Sequence, residues 1–451
     1  MEPNQPTSLR KFLILWSGQV ASVLGTEMTN FAITLWAWEL TGQATPLALI
    51  FFFTRTPKVI AASFAGVLVD RWNRKQLMMI GDGMAGISTV VLLSLLLTDQ
   101  LAIWHLYVAG AVNGLFGYFQ DLAYSTSMSQ IVPKQHYARA TAMDSYLTYS
   151  GSAILAPAIA GILYPLIKLP GILLIDLVTF LIAVGTVWFT TIPQPKVEAK
   201  PFSREQLWEE FTFGFRYIFR HPSLLAILLF LLNSNLLTNA AWAIQPVMIL
   251  ARSQDNATAL ASVQAAIGIG GVVGGVLLSV WGGPKRRIHG LLLGQTFGEL
   301  SSVFLGLSNS LPLWMGTGFL AAIFSPFIGS SNQAIWLSKV DPAVQGKVFA
   351  SRYLIAQLAA PLGLAIAGPL ADKVFEPAMQ PGGFLTPLFS GIFGTGNGAG
   401  MALQFTLFSI LGVLVGVGGY AFRTLRDVET LVPDYDIKTS DPTRSLVGKE
   451  R

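Results

Sequence analysis

The sequence predicts an all-α integral membrane protein with twelve transmembrane helices in two pseudo-symmetric six-helix bundles. Three observations carry that prediction. The 451 residues are 52% hydrophobic and only 12% charged, with a mean hydropathy of +0.56, whereas a soluble domain is about a quarter charged. Long apolar runs recur at roughly the 20 residues a helix needs to cross about 30 Å of hydrocarbon. Lysine and arginine gather in alternate connections between those runs, the asymmetry that orients membrane helices. The alternating ten-residue segments of a strand barrel are not the pattern of this sequence.

The first six spans fall at 12–40, 46–69, 76–98, 103–131, 138–166 and 170–192. The last six fall at 223–252, 257–281, 288–308, 312–337, 347–372 and 398–422. The chain therefore divides into a first bundle (1–192), a linker (193–222), a second bundle (223–422) and a polar tail (423–451) expected to be loosely ordered. Arg10 and Lys11 precede the first run as in a signal peptide. Gln19, Glu27 and Asn30 interrupt that run, however, and no small-x-small cleavage site is evident, so it reads as a retained helix. The linker opens on Pro193, Pro195 and Pro201. Ser203 and Gln206 then match a capping box, and Leu207, Phe211, Phe215 and Ile218 follow at helical spacing, which predicts an amphipathic helix on the membrane surface. The segment 373–397, rich in proline and glycine, reads as a lid or a loose loop.

The cations before the first span, in the linker and in the tail fall on one side, together with Arg71, Arg74, Lys75, Lys285, Arg286, Arg287, Lys339, Lys347 and Arg352. Only Lys168, Arg252 and Lys373 fall on the other. This places both termini in the cytoplasm, with the plasma (inner) membrane of a bacterium as the expected location. The net charge of +5 is thus topological and implies no nucleic acid. There is no cysteine, and the four histidines are scattered. No HExxH, Walker loop, dinucleotide fingerprint or nucleophile elbow occurs. No metal, cofactor or enzymatic activity is expected, and energy must come from an ion or solute gradient. The run GIGGVVGG at 268–275 lies inside span eight and reads as close helix packing.

The halves repeat. Gly66-Val-Leu-Val-Asp70-Arg71-Trp72 ends span two and Gly275-Val-Leu-Leu-Ser279-Val280-Trp281 ends span eight, each before a basic turn. Ile131-Val132-Pro133 precedes span five as Val340-Asp341-Pro342 precedes span eleven. Duplicated helix sets are the building plan of many transporters. GVLVDRWNRK, Gly66 to Lys75, resembles the signature loop of the major facilitator superfamily. LTGQATPLAL, DRWNRKQLM, the IVP turn and Asp176 resemble its macrolide-efflux and enterobactin-exporter branch. The resemblance implies a major facilitator fold. It also implies a conformational latch built from Gly66, Asp70, Arg71, Arg74 and Lys75, with Asp121 as a further partner. Ser279 stands where Asp70 stands in the first copy, so the latch is expected to be one-sided. The antiporter motif of span five survives only as Ala156-Pro157-Ala158-Ile159-Ala160-Gly161.

Charges at mid-bilayer are costly and therefore mark function. Glu27 and Arg55 lie at matching depths on sequential helices, about 22 and 21 Å from the cytoplasmic edge at 1.5 Å per residue. They are expected to be close, with Lys58 about a turn deeper toward the cytoplasm. Either Glu27 exchanges a proton or binds a cation, with Arg55 tuning it or holding an anion, or the two form a static ion pair. Gln19, Thr26 and Asn30 form a polar stripe beside Glu27; Asn233, Asn235 and Asn239 are its counterpart on span seven. Both sets are expected to line a cavity, with amide bonding between helices as the alternative. Glu299 is a further charge candidate, Asp176 an acid near the outer edge, and Asp82 a partner for the basic loop.

The resulting expectation is a secondary transporter that exports an amphipathic small molecule of drug, macrolide or siderophore type by proton-coupled alternating access. Its partners are a small-molecule substrate, protons and the lipid bilayer, and it acts as a monomer. Alternatives are a lipid or lysolipid flippase, a solute importer on the same fold, or a non-transporting membrane assembly factor.

Overall fold

A computed structural model describes residues 9–62, 69, 72–144, 148, 151–192 and 204–435, with the backbone alone at 129, 138, 142 and 204–211. Among the described residues every regular element is helical. The main helices are α1 (Arg10–Thr41), α2 (Ala44–Ala62), α3 (Arg74–Leu97), α4 (Ile103–Ile131), α5 (Gly151–Phe189) and α6 (Arg204–Arg220). They continue as α7 (Pro222–Arg252), α8 (Ala257–Trp281), α9 (Arg287–Leu307), α10 (Leu311–Lys339), α11 (Gln345–Met379) and α12 (Ala399–Ala421).

Eight of these, α3, α5 and α7 to α12, are long and apolar enough to cross a membrane. Helices α1, α2 and α4, of 32, 19 and 29 residues, have the length but are more polar. α5 is two spans in one: Lys168, at φ 52° and ψ −170° between Pro165 and Pro170, breaks it. Proline removes a backbone donor on each side of that corner. With the second arm of α5 counted, the described helices supply twelve spans, six before and six after α6.

Packing pairs α1 with α5, α2 with α4, α7 with α11, α8 with α10, and α9 with α12. Two seams join the first six spans to the last six: α2 against α11, and the first arm of α5 against α8. The second span of each set thus meets the fifth of the other, as a pseudo-twofold arrangement requires. Both seams use glycine for close approach. A side chain at Gly161 would meet Ala261, and one at Gly368 would meet the Thr45 backbone.

The core formed by the described residues is distributed unevenly between the two sides. On the side away from the termini (the far side) one apolar cluster runs continuously through both sets, from Phe31 and Leu47 through Tyr164 and Val247 to Leu364 and Phe405. On the side bearing the termini no single cluster of the described residues spans both sets. Phe12, Met78, Phe119 and Val187 form a cluster within the first set. Ile227 and Leu291 belong to one cluster of the second set, and Leu224 and Trp336 to another. Polar contacts across the seam also lie on the far side. The Asp372 carboxylate accepts from the N–H of Ala44 at 2.9 Å and of Thr45 at 2.7 Å. The Trp38 indole donates to Asp255 at 2.7 Å.

Three segments differ from the sequence reading. Span eleven does not stop at 372 but continues through a π turn, Ala371–Phe375, to Met379. The following segment holds a further helix, Thr386–Phe393. The start of the tail is docked: the Glu429 side chain accepts from Ile288 N–H at the start of α9, at 3.2 Å, and Lys339 binds Glu429 O and Asp434, each at 2.9 Å. Ser203 of the expected capping box lies outside the described residues.

Candidate functional site

The polar stripe of α1 sets the site. Gln19 is buried, whereas Thr26, Glu27 and Asn30 are exposed in the middle of a helix that packs on both sides. Glu27 has protein around it in almost every direction and is still open to solvent-sized contact. Its carboxylate meets the Asn30 side chain, with Arg55 and Lys58 of α2 within electrostatic reach.

The expected Glu27–Arg55 proximity takes a particular form: among the described residues neither cation stands within the 4.0 Å of an ion pair with Glu27. Lys58 instead pairs with Asp121 of α4 at 3.1 Å, its ammonium 6.0 Å from the centre of the Tyr118 ring. Tyr118 is in turn within electrostatic reach of Tyr353 on α11. The face of α4 that carries Tyr118 and Asp121 thus fronts α11 of the second set. Arg55 has no hydrogen-bonding or ion-pair partner among the described residues.

Asp121, which the sequence offers as a partner for the basic loop, thus holds Lys58 among the described residues. Arg74, buried, donates to Thr126 O at 2.8 Å, and Lys75 donates to Trp188 O and Thr190 O at 2.7 and 3.1 Å. These cations clamp the ends of α4 and α5 by capping carbonyls. Gly66, Asp70 and Arg71 lie outside the described residues.

Three buried acids take their hydrogen bonds from neutral side chains, with the Asp121 carboxylate also within electrostatic reach of Asp82. Asp82, expected to face the basic loop, instead accepts from Gln120, whose amide also donates to Gln19 at 3.0 Å. Asp176, expected near the outer edge, is buried and accepts from Thr89 at 2.8 Å and Thr26 at 3.4 Å. Glu299 accepts from Thr238 at 2.5 Å and Gln295 at 3.2 Å, with the Ser409 hydroxyl turned toward it. The last two sites are related by the repeat. Thr26 and Thr238 each stand sixteen residues after the first residue of their helices. Thr26, Thr89 and Asp176 come from the first, third and sixth spans of one set. Thr238, Glu299 and Ser409 come from the same three spans of the other, with the acid moved from the sixth span to the third. Sequence reading noticed both acids but not this relation, because it appears only when three non-adjacent helices are brought together.

The asparagines of α7 separate. Asn235 donates to Ala356 O of α11 at 3.2 Å, and Asn239 donates to Asn235 O at 2.7 Å. These are bonds between and along helices. Asn233 folds back on Leu229 O at 2.8 Å and lies in a groove between α7 and α12, away from Glu27. Among the described residues no group of acids and histidines could hold a metal ion.

Comparison with known proteins agrees with this architecture. The chain is 24% identical over 369 residues to macrolide efflux protein A of Streptococcus pyogenes, covering 81% of this chain and 90% of that protein. It is 23% identical over 385 residues to the enterobactin exporter EntS of Shigella flexneri, covering 84% and 87%. Among solved structures it superposes, with a TM-score of 0.66 and 15% identity, on a bacterial homologue of the human lysosomal transporter Spinster in an inward-facing, unoccupied conformation, covering 92% and 96%. The family profile described as Major Facilitator Superfamily matches residues 15–364. The chain accordingly belongs to the major facilitator superfamily and is a membrane-embedded transporter of that family.

Proposed function

We propose that this transporter exports an amphipathic small molecule from the bacterial cytoplasm by alternating access, as a monomer in the inner membrane, with protons entering in exchange. The observation that carries the proposal is Glu27. It is exposed on the polar face of α1 near the Asn30 side chain, with no cation at ion-pair distance among the described residues. A carboxylate locked in a tight pair is neutralised in place. One left open to the cavity can exchange a proton with water or meet a substrate's amine. The excess of cations on the side of the termini supports a cytoplasmic assignment for that side. The separate clusters of described residues on that side support reading this conformation as cytoplasm-open. The efflux roles named for the two relatives support the direction and the amphipathic substrate.

The test is proton release from acidified inverted vesicles on addition of macrolides, dyes, siderophores or lysolipids in turn. Release through the intact protein that is abolished in Glu27→Gln is the expected result. Equal release in both would keep antiport and remove Glu27 from it. No response to any compound, with the protein shown to be folded, would overturn the antiport of these compounds.

One observation favours a second reading. Arg55 is exposed and unpartnered among the described residues, which suits an anionic headgroup and hence lysolipid flipping. In that case Arg55→Gln abolishes movement of an anionic lysolipid while Glu27→Gln spares it.

A further inference from the structure

Away from the polar stripe of α1, α7 and α12 pack against each other but part along one face on the side of the termini. They leave a groove of about 760 Å³ whose walls include Leu229, Phe230, Leu237, Leu411, Leu414 and Phe422. That volume lies within the range of ordinary ligand sites, about 300–1,000 Å³. Gly418 has open space where a side chain would stand, so the groove is wide there because the residue is small. Along α7 the lining runs from Pro222 to Leu237, about 22 Å at the helical rise. One leaflet of hydrocarbon is roughly 15 Å deep, so the groove accommodates an extended acyl chain. Asn233 is the one amide in the wall, and its NH₂ is turned back on Leu229 O, which leaves the wall essentially apolar.

The mouth has the opposite character. Pro222, Phe422 and Thr424 rim it. Arg220 precedes the rim on one side and Arg423 lies between two rim residues on the other. Both arginines are exposed, and neither has a hydrogen-bond or ion-pair partner among the described residues. Two exposed arginines adjacent in sequence to the residues at the groove's mouth match a phosphate at the end of an acyl chain, and guanidinium binds phosphate in a fork geometry that lysine lacks.

We propose that the α7–α12 groove binds an anionic phospholipid of the leaflet on the side of the termini, with one acyl chain in the groove and the phosphate at Arg220 and Arg423. The site is independent of the transport cavity, and its occupant holds together the two helices that carry Thr238 and Ser409 around Glu299.

The test is native mass spectrometry of the full chain released from detergent, with phosphatidylglycerol or phosphatidylcholine of matched chains added. The intact protein is expected to retain phosphatidylglycerol preferentially, by roughly thirtyfold if each arginine contributes the usual increment of a basic residue at an anionic surface. Gly418→Leu fills the groove and is expected to lose both lipids; Leu414→Trp does the same should the first variant fold poorly. Arg220→Ala combined with Arg423→Ala is expected to keep phosphatidylcholine retention and lose the preference. Equal retention of the two lipids by the intact protein overturns the proposal. So does a preference that survives the double arginine variant, or displacement of the bound lipid by a transported compound.

Discussion

Gly114 is where α2 and α4 touch: a Cβ there would run into the carbonyl oxygen of Thr54, whereas one at Gly117 would meet nothing within 4 Å. Gly114→Ala must therefore push the two helices apart. Overpacking of this kind costs about 1–3 kcal/mol, so its melting temperature in detergent is expected to fall. Gly117→Ala has room and removes the helical penalty of glycine, about 1 kcal/mol, so its melting temperature is expected to hold or rise. The same contact fixes the register of α2, one residue from Arg55 and four from Lys58. Gly114→Ala is thus also expected to loosen the Lys58–Asp121 pair, which is half exposed and weak on its own. Nothing in the sequence separates these two glycines. The depth of Glu27, Arg55 and Lys58 was legible because a helix advances a fixed distance per residue. Their pairing was not, because Asp121 on a third helix competes for Lys58, and sequential spacing carries no information about a competitor on another helix.

At the scale of elements, span positions were legible because apolar length is a property of a single segment. Helix caps were not, because their partners are remote in sequence. Asp372 and Glu376, four residues apart on the same extension of α11, cap two different helices. Asp372 takes the first N–H groups of α2, and Glu376 takes the N–H of Gly398 at 2.6 Å and of Met401 at 3.1 Å at the start of α12. A carboxylate is favoured at a helix N-terminus by the unsatisfied donors there. The α2 cap crosses the seam, so Asp372→Ala removes a bond made only while the far side is shut. A cap is worth about 1 kcal/mol, and the expected outcome is a several-fold shift toward the far-side-open state, read as spin-label distances across the far-side loops. Glu376→Ala frays α12 without crossing the seam and is expected to leave those distances unchanged. The docked tail responds to pH. The hydrogen bond from Lys339 holds the Asp434 carboxyl below its ordinary range. A lowered carboxylate contributes its stability above its unfolded-state pKa and loses it as pH falls through the lowered value. Protection from hydrogen exchange across residues 423–435, taken relative to the intrinsic rate at each pH, is therefore expected to be high at neutral pH and to fall only in acid, below the usual aspartate range. Lys339→Met is expected to make it low throughout.

For the whole molecule, the two sets of spans were legible from the repeats at Asp70 and Ser279 and at the two proline turns. Which way they lean was not, since every alternating-access state contains the same helices. Among the described residues one cluster joins both sets on the far side and separate clusters lie on the side of the termini, and the proposed cytoplasm-open reading rests on that distribution. Gly161 sits in the closed seam against Ala261 and Ala257, and a larger residue there is a wedge that acts only when the far side is shut. Gly161→Leu is expected to disfavour that state by about 1–3 kcal/mol, the usual cost of overpacking, which is a shift of about 5- to 150-fold between states. The chain has no cysteine, so a single one introduced as Thr26→Cys reports on access to the site without background. With a membrane-impermeant maleimide, labelling from the side of the termini is expected to be fast in the otherwise intact protein and slow with Gly161→Leu added, while labelling from the far side changes in the opposite sense. Slow labelling from both sides would mean that the wedge has collapsed the cavity instead of tilting the halves. Unchanged labelling from both sides would mean that the α5–α8 seam opens without separating at Gly161, leaving α2 against α11 as the seam that governs access.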